Sequence, residues 1–260
     1  MHSHINFAYP WPFVYGHLVV AAMAAALLAL AFYRKWPLYV TIPIGALTLW
    51  AASAFVMVRF GFDLNGRASM PTRTFLKSGS GKVLDMGAGT GRSSIMILEE
   101  RPNTTLVALD SFGESYVEHF GGDQGKPQQV LDEGRQRLVA NLQAAGVEQR
   151  ATIQPGDMRK MPFPDSSFDG IVSAYAIDHL NQDGIRSSLA EANRVLKPKG
   201  EFLLMLIAKD FWLKYTFGPV LMHAGTRRSS RWNDFLHEAG FEIVEQGTRP
   251  ATLYFVARKP

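Results

Sequence analysis

Apolar residues are concentrated in two uninterrupted stretches near the beginning of the chain. Residues 13–33 and 38–58 contain no Asp, Glu, Lys or Arg, and only Arg-Lys-Trp-Pro at 34–37 separates them. At about 1.5 Å per residue, each stretch is long enough to cross a hydrocarbon core of about 30 Å. The pattern predicts two transmembrane helices joined by a tight turn, so residues 1–60 are expected to form a membrane anchor.

Other interpretations of these stretches stay open at this point. A signal peptide would need a basic N-terminal region, whereas residues 2–12 contain no Lys or Arg. Two consecutive core helices of this length would be unusual in a soluble protein. A hairpin that enters a single leaflet is the strongest alternative, because Pro43 would kink the second helix. His17 either acts inside the membrane or reaches the headgroup layer.

The basic residues beside the apolar stretches predict an orientation. Two lie in the turn, Arg34 and Lys35, and four follow the second stretch: Arg59, Arg67, Arg73 and Lys77. Since basic flanks stay in the cytoplasm, the larger group predicts a bacterial-type inner-membrane protein with a cytoplasmic C-terminal domain. The two residues of the turn favour the opposite orientation, which keeps the one-leaflet hairpin as an alternative.

Beyond a predicted linker at 61–80, short apolar runs alternate with helical patterns. The runs predict strands at 82–84, 105–109, 151–157, 168–175, 196–207, 241–245 and 252–257. Helical patterns occupy 93–100, a stretch that begins near 128, and 234–239. This alternation predicts a Rossmann-like, doubly wound α/β domain over residues 81–260.

A glycine-rich turn follows the first of these strands. Asp85 precedes Gly87, Gly89 and Gly91, and a helical pattern starts immediately afterwards. Glycines let the chain turn sharply and allow a ligand to touch the backbone, while the helix directs its N-terminal amides at that ligand. Arg92 breaks the dinucleotide fingerprint and no P-loop motif is present. The turn therefore predicts a nucleoside-cofactor site of another kind.

Two further acidic residues end the next strands. Asp110 follows the second strand, where doubly wound folds hold ribose hydroxyls, although a turn or helix cap would also explain an acid there. Asp157 follows Gly156 at the end of the third strand.

Taken together, these segments resemble the class I S-adenosylmethionine (SAM)-dependent methyltransferases. The resemblance rests on Asp110 and on VLDMGAGTG at 83–91, GDM at 156–158, FPDSSFDGIVSAYAIDHL at 163–180 and LKPKG at 196–200. It covers roughly residues 70–260 and is strongest toward the branch that methylates small molecules, quinones, sterols and lipids. It implies a seven-stranded sheet and SAM as cofactor. In that family the glycine loop approaches the methionine part of SAM, the acid after strand two holds the ribose, and the Gly-Asp acid reaches the adenine amine. The implied cofactor-binding residues are Asp85, Gly87, Ala88, Gly89, Gly91, Asp110, Ser111, Asp157 and Met158.

Candidate catalytic residues follow the fourth strand, because ligands gather at the carboxyl ends of strands in open α/β sheets. His179 would serve as a base near neutral pH, with Asp178 beside it; the alternative is that His179 only packs at a helix start. Tyr175 would line the cofactor or acceptor pocket. Glu118 and His119 are weaker candidates.

Two segments extend the predicted domain. The glycine-rich insert at 111–127 is either a lid or membrane-facing loop, or a surface elaboration. The segment 209–232 interleaves aromatic residues with cations, which suits a membrane interface, although a capping subdomain would explain it as well. A nucleic-acid surface would use the same residue types but is less economical beside membrane helices, so no nucleic-acid partner is predicted.

Composition narrows the chemistry. The chain has no Cys, a mild net charge of +4, and seven His without metal-binding spacing. No metal site is predicted. The sequence as a whole predicts a membrane-anchored methyltransferase that acts on a hydrophobic or lipid-like small molecule in contact with membrane lipids, and its helices would offer a surface for homo-oligomer formation. Two alternatives remain: the same chemistry on a soluble acceptor, with the hairpin as an address, or a SAM-binding membrane scaffold without catalysis.

Overall fold

The computed structural model describes most of the chain, with backbone alone at 127–132. The described residues are 5–64, 66–112, 127–208, 210–218 and 229–260. Most of the predicted insert at 111–127, with Glu118 and His119, lies outside them, as does much of the segment 209–232.

The two apolar stretches form an antiparallel helical hairpin. Helix α1 is Trp11–Tyr33 and α2 is Leu38–Val56, which continues into a π-helical turn, Met57–Phe62. The buried positions are mostly small: Ala21, Ala24 and Ala31 on α1, Ala51 and Ala54 on α2. Small residues let two helices approach closely without large side chains between them.

The outer surface of the hairpin is apolar and exposed. Both helices, Trp11–Tyr33 and Leu38–Phe62, are long and apolar enough to cross a membrane. Within the most apolar 18 residues of each, only 11% and 17% are buried. Core helices of a soluble protein would be mostly buried, so this exposure weakens the core-helix interpretation. Spanning itself stays a prediction.

A seven-stranded sheet forms the centre of the second part, as the resemblance implies. The strands run in the order β3-β2-β1-β4-β5-β7-β6. Strands β1 to β5 pair in parallel, while β7 is antiparallel to both β5 and β6. Their bounds are β1 Ser80–Met86, β2 Asn103–Asp110, β3 Ala151–Pro155, β4 Phe168–Ala174, β5 Leu196–Ile207, β6 Glu242–Arg249 and β7 Thr252–Arg258.

Helices cover both faces of this sheet, which confirms the predicted α/β architecture. They are α3 Arg92–Glu100, α4 Pro127–Ala144, α5 Gln182–Val195 and α7 Ser229–Glu238, while the short helix α6 Phe211–Phe217 precedes α7 and packs against the hairpin. One core layer contains α5 and α7. The other contains α3 and α4. Central strands are covered on both faces and are therefore almost continuously apolar, as in β5, where residues 202–206 are all buried.

Part of the segment 61–80, which the sequence predicts as a linker, packs against the domain. Met70, Phe75 and Leu76 are buried in the layer that contains α3 and α4, and so is Phe7 from the segment before α1. The backbone N–H of Leu76 donates to the Glu201 carboxylate at 2.7 Å. Both ends of the hairpin are therefore fixed to the domain rather than loosely tethered.

The strand order positions the site. Strand β1 has β2, its successor in the chain, on one side and β4 on the other side. At such a switch point the loops after β1 and β4 diverge and open a crevice at the carboxyl ends of the strands. The predicted glycine turn follows β1, and the predicted catalytic residues follow β4.

Candidate active site

The glycine turn has the backbone geometry that its sequence predicts. Gly87, Gly89 and Gly91 have φ values of 86°, 51° and 90°. A Cβ at Gly87 would lie 2.4 Å from the Cβ of Ala176, so no side chain fits between the turn and the end of β4. A Cβ at Gly89 would meet no described atom within 4 Å. Gly89 therefore presents bare backbone to open space, which is what a close-lying cofactor requires.

Two backbone hydrogen bonds hold this turn beside the second strand. The N–H groups of Gly87 and Ala88 both donate to the Leu109 carbonyl, at 2.8 and 3.0 Å. Gly91 then caps the start of α3. The turn is thereby fixed before any ligand arrives.

Asp85 is a fully buried acid beneath the turn. Its Oδ2 accepts hydrogen bonds from the hydroxyls of Ser93 and Ser94 at 2.7 and 2.5 Å. Burial raises the pKa of the Asp85 carboxyl from 3.8 to about 6, against the lowering effect of the two serines. Its Oδ1 has no hydrogen-bond partner among the described residues. A buried, unpaired carboxylate oxygen fits a cationic donor such as the amino group of SAM.

Asp110 joins the end of β2 to the glycine turn. Its Oδ2 accepts from the Gly89 N–H and its Oδ1 from the Phe112 N–H, both at 2.8 Å. Burial raises the pKa of this carboxyl, while those N–H groups lower it. Each oxygen keeps a second lone pair, so the carboxylate can also accept hydrogen bonds from the two hydroxyls of a ribose, as predicted. The neighbouring Ser111 is exposed.

Asp157 has a partner that the sequence analysis did not foresee. Arg159 donates from Nε and Nη2 to its carboxylate at 2.7–3.0 Å, and this pairing lowers the pKa of Asp157. The predicted adenine contact therefore has to share Asp157 with Arg159. Met158 packs behind the glycine turn, where its Cε lies 3.0 Å from the position of a Cβ on Gly87.

The three candidate catalytic residues have different environments. Tyr175 has a positive φ of 54°, and its hydroxyl is 2.6 Å from that of Thr252; burial raises its pKa. Asp178 is buried, and its Oδ2 accepts from the Ile207 N–H at 3.4 Å. His179 is exposed at the end of a 3-10 turn, Ile177–His179. Tyr175 and Asp178 are thus held against the ends of β7 and β5, whereas His179 is exposed, and a catalytic role for any of the three stays a prediction.

Sequence reasoning missed an amide that fastens the N-terminal segment to the turn. Asn141 on α4 is buried; it accepts from the Asn6 N–H at 2.8 Å and donates to the carbonyls of Asn6 and Thr90 at 2.9 and 2.8 Å. The Thr90 hydroxyl also donates to the Phe7 carbonyl at 3.3 Å. The available signal was a polar residue between Leu138 and Leu142 on the apolar face of a helix.

Arg92, which breaks the dinucleotide motif, links the glycine turn to the apolar hairpin. Its guanidinium donates to the carbonyls of Phe62 and Asp63 at 3.3 and 2.8 Å, and to that of Gly66 at 3.2 Å. These carbonyls follow α2, and the last carbonyls of a helix lack partners within it. No pattern in the sequence near Arg92 identifies such distant acceptors.

Comparisons with known proteins agree with this geometry. Residues 84–204 match the family described as "Methyltransferase domain". The chain is 28% identical over 166 residues to a demethylmenaquinone methyltransferase of Symbiobacterium thermophilum, covering 64% of this chain and 54% of that protein. It is 30% identical over 167 residues to a chloroplastic 2-methyl-6-phytyl-1,4-hydroquinone methyltransferase of Oryza sativa subsp. japonica, covering 63% and 42%. The chain thus spans about half the length of these curated relatives.

A solved structure shows the same fold. The O-methyltransferase family 2 protein of Planctomyces limnophilus, in complex with apigenin, superposes with a TM-score of 0.54 at 16% identity, covering 92% of this chain and 62% of that one. The matched domain, the seven-stranded sheet and the glycine turn lead to one assignment. Through its C-terminal domain, the chain belongs to the class I SAM-dependent methyltransferases.

Proposed function

We propose that the protein transfers a methyl group from SAM to a hydrophobic, quinone-like acceptor at the surface of a membrane. Two relatives whose names specify a demethylmenaquinone and a phytyl hydroquinone as substrates support the acceptor class. The exposed apolar hairpin supports the location. An acceptor with an isoprenoid tail remains in the bilayer, so an enzyme tied to the membrane meets it at high local concentration.

The observation that carries the proposal is the attachment of the cofactor turn to both ends of the hairpin. Asn141 and Thr90 bind the segment before α1, and Arg92 binds the carbonyls that follow α2. The crevice is therefore held at the base of the hairpin. A tail lying in the bilayer has only a short way to reach it.

The residues of the crevice bind SAM and align it with the acceptor. Bound SAM would supply an activated methyl group on a sulfonium sulfur. Asp85 Oδ1 offers a buried acceptor for the amino group, and Asp110 offers its remaining lone pairs to the ribose. The bare backbone at Gly89 lets the cofactor lie against the turn. Such displacements depend mainly on alignment and on exclusion of water, which the buried turn provides.

The acceptor side uses the end of β4. The Tyr175 hydroxyl is held by that of Thr252 and its backbone has a strained positive φ, and we assign its ring to the wall of the acceptor pocket. A hydroquinone must lose a proton during methylation at carbon or oxygen. We assign His179 as the group that accepts this proton, since it offers an exposed imidazole in the turn directly after β4. Buried Asp178 beside it supports the turn through Ile207.

Product identification tests the proposal. Full-length protein in lipid nanodiscs is incubated with methyl-labelled SAM and hydroquinones with and without isoprenoid tails. We expect labelled, tailed product together with an equal amount of S-adenosylhomocysteine. Methylation restricted to tailless acceptors would favour a soluble substrate, and SAM binding without S-adenosylhomocysteine would favour a scaffold. Either result contradicts the proposal.

A further inference from the structure

Helix α6 makes contacts that no part of the methyl-transfer site requires. It follows β5 and packs against both helices of the hairpin. The His17 Nε2 lies 2.7 Å from the Thr216 carbonyl, and the Trp50 Nε1–H donates to the Tyr215 carbonyl at 2.9 Å. The hydroxyls of Ser53 and Tyr215 are 2.6 Å apart. Because a carbonyl only accepts, His17 must carry its proton on Nε2.

These contacts satisfy the carboxyl end of α6. The last carbonyls of a helix have no partner within it, and water normally supplies one. Here, side chains from two other helices supply the donors. A carbonyl without a hydrogen-bond donor is energetically costly in a lipid environment. For this reason irregular backbone is not exposed to the hydrocarbon core. Donors from the hairpin are therefore needed where water is absent.

The position of these donors along the hairpin gives a depth. If the charged turn Arg34-Lys35 lies at one headgroup layer, a core of about 30 Å ends about 20 residues away on each helix, near Phe13 and Val58. His17 then lies about 6 Å inside that boundary, and Ser53 and Trp50 about 8 and 12 Å inside. The end of α6 lies at the same depth.

The free face of α6 has the composition that this depth requires. Phe211 and Trp212 are 67% and 45% exposed, and the ring of Phe211 stacks on that of Tyr215 with centroids 5.7 Å apart. On the opposite side, Phe217 packs against Phe62 with centroids 5.9 Å apart. Aromatic side chains suit the boundary between headgroups and acyl chains. Lys214, also exposed, can extend its ammonium group to the headgroups.

We infer that α6 is a third membrane-embedded element, a short helix inserted into the leaflet next to the domain, whose terminal carbonyls are capped by His17 and Trp50. Its occupant is the bilayer itself, continuous with the lipid around the hairpin. Interfacial helices lie with their apolar face about 5–10 Å into the headgroup and acyl boundary, which matches the depth derived from the donors. Asp210 fixes the other end, since it accepts from the N–H groups of Leu213 and Ala251 at 2.8 and 2.7 Å.

This arrangement changes the role of the polar residues in α1 and α2. His17 caps α6, so its position requires neither a contact with the headgroups nor a part in methyl transfer. Ser53 and Trp50 belong to the same set. Since β5 leads from the crevice to α6, the helix would form the membrane-side wall next to the acceptor site.

Depth measurement by spin labelling tests the inference, which rests on the proposed insertion of the hairpin. The natural chain has no Cys, so each single-cysteine variant carries one label. Labels are placed at Phe211→Cys and Trp212→Cys on α6, at Met23→Cys in the middle of α1, and at Val244→Cys on exposed β6. Oxygen and a water-soluble nickel reagent compete as relaxants in phosphatidylglycerol-phosphatidylcholine vesicles, without SAM or acceptor.

We expect the two α6 labels at about 5–10 Å inside the boundary between headgroups and acyl chains, the label at 23 deeper, and the label at 244 in water. If the label at 23 is in the bilayer but those on α6 are in water, the inference is wrong while the proposed function stands. If the label at 23 is in water as well, the membrane part of the proposed function fails. Mutual dipolar broadening between α6 labels, with neither relaxant reaching them, would show a second copy on this face and also overturns the inference.

The capping role is tested separately. His17→Phe and Trp50→Phe keep an aromatic ring but remove the donor, and Trp36→Phe in the turn is the matched control. In the double variant H17F/W50F the label at 211 should move toward water, whereas W36F should leave it unchanged. Unchanged depth in the double variant, with the protein folded by circular dichroism, would refute the capping role.

Discussion

Gly89 offers a direct test of where the cofactor lies. Gly89 and Gly146 both have positive φ, 51° and 69°, and a Cβ at either position would meet no described atom within 4 Å. Replacement by Ala therefore imposes the same backbone strain at both, about 1–2 kcal/mol. For a chain of this size that strain lowers Tm by roughly 2–8 °C. The two variants differ only in what approaches them.

The proposed site puts SAM against Gly89 and nothing against Gly146, which lies at the exposed end of α4. An added methyl group in a close-packed contact costs about 1–3 kcal/mol. Gly89→Ala should therefore weaken SAM binding by about 5- to 150-fold, and Gly146→Ala should leave it within about twofold of the wild-type chain. Isothermal titration with SAM, combined with thermal unfolding in detergent, measures both quantities.

Gly87→Ala completes the series. Its Cβ would lie 2.4 Å from Ala176, so this variant should lose stability beyond the strain shared by the other two. Equal SAM dissociation constants for Gly89→Ala and Gly146→Ala, with equal Tm values, would refute the placement of the cofactor on the turn.

Three further outcomes follow from the site. Since burial raises the pKa of Asp85 from 3.8 to about 6, its ionised form opposes folding; this penalty is absent below pH 3.8, grows as pH rises, and is complete above pH 6. Asp85→Asn should therefore gain up to about 3 kcal/mol in unfolding free energy over the wild-type chain between pH 4 and pH 7 without SAM, and a pH-independent difference would contradict this. Asn141→Leu leaves the Asn6 N–H without its partner and should cost about 2–5 kcal/mol in thermal unfolding; a change below about 1 kcal/mol would show that the N-terminal segment is not held there. Tyr175→Phe removes the bond to Thr252 and should raise KM for the acceptor while the dissociation constant of SAM stays constant; the reverse pattern would place Tyr175 on the cofactor side.

Local patterns were sufficient for most of the fold. Strands β1, β2 and β3 each reach an Asp or a Gly at their carboxyl end or directly after it, so the pattern marks both the strand and the turn that follows. The glycine turn was equally readable, because positive φ at Gly87, Gly89 and Gly91 has a direct signature in residue type.

The contacts that join the parts were not readable in this way. Asn141 binds Asn6, which is 135 positions away in the chain. Arg92 binds the carbonyls of Phe62 and Asp63, and no local pattern predicts which donor those carbonyls find. Phe75 and Leu76 lie within a polar stretch, and their burial depends on distant residues of β4 and β5, Gly170 and Glu201. The pair Asp157–Arg159 is different, since its spacing of two residues was visible and only its meaning was missed.

The proposed site serves an acceptor that is held in the bilayer. The most direct measurement is the ratio of kcat/KM for a hydroquinone with an isoprenoid tail, embedded in the vesicles that carry the full-length protein, to that for the same headgroup without a tail in solution. We expect a ratio of at least about 10, corresponding to about 1.4 kcal/mol of preference. A ratio near one, or a preference for the tailless compound, would contradict it.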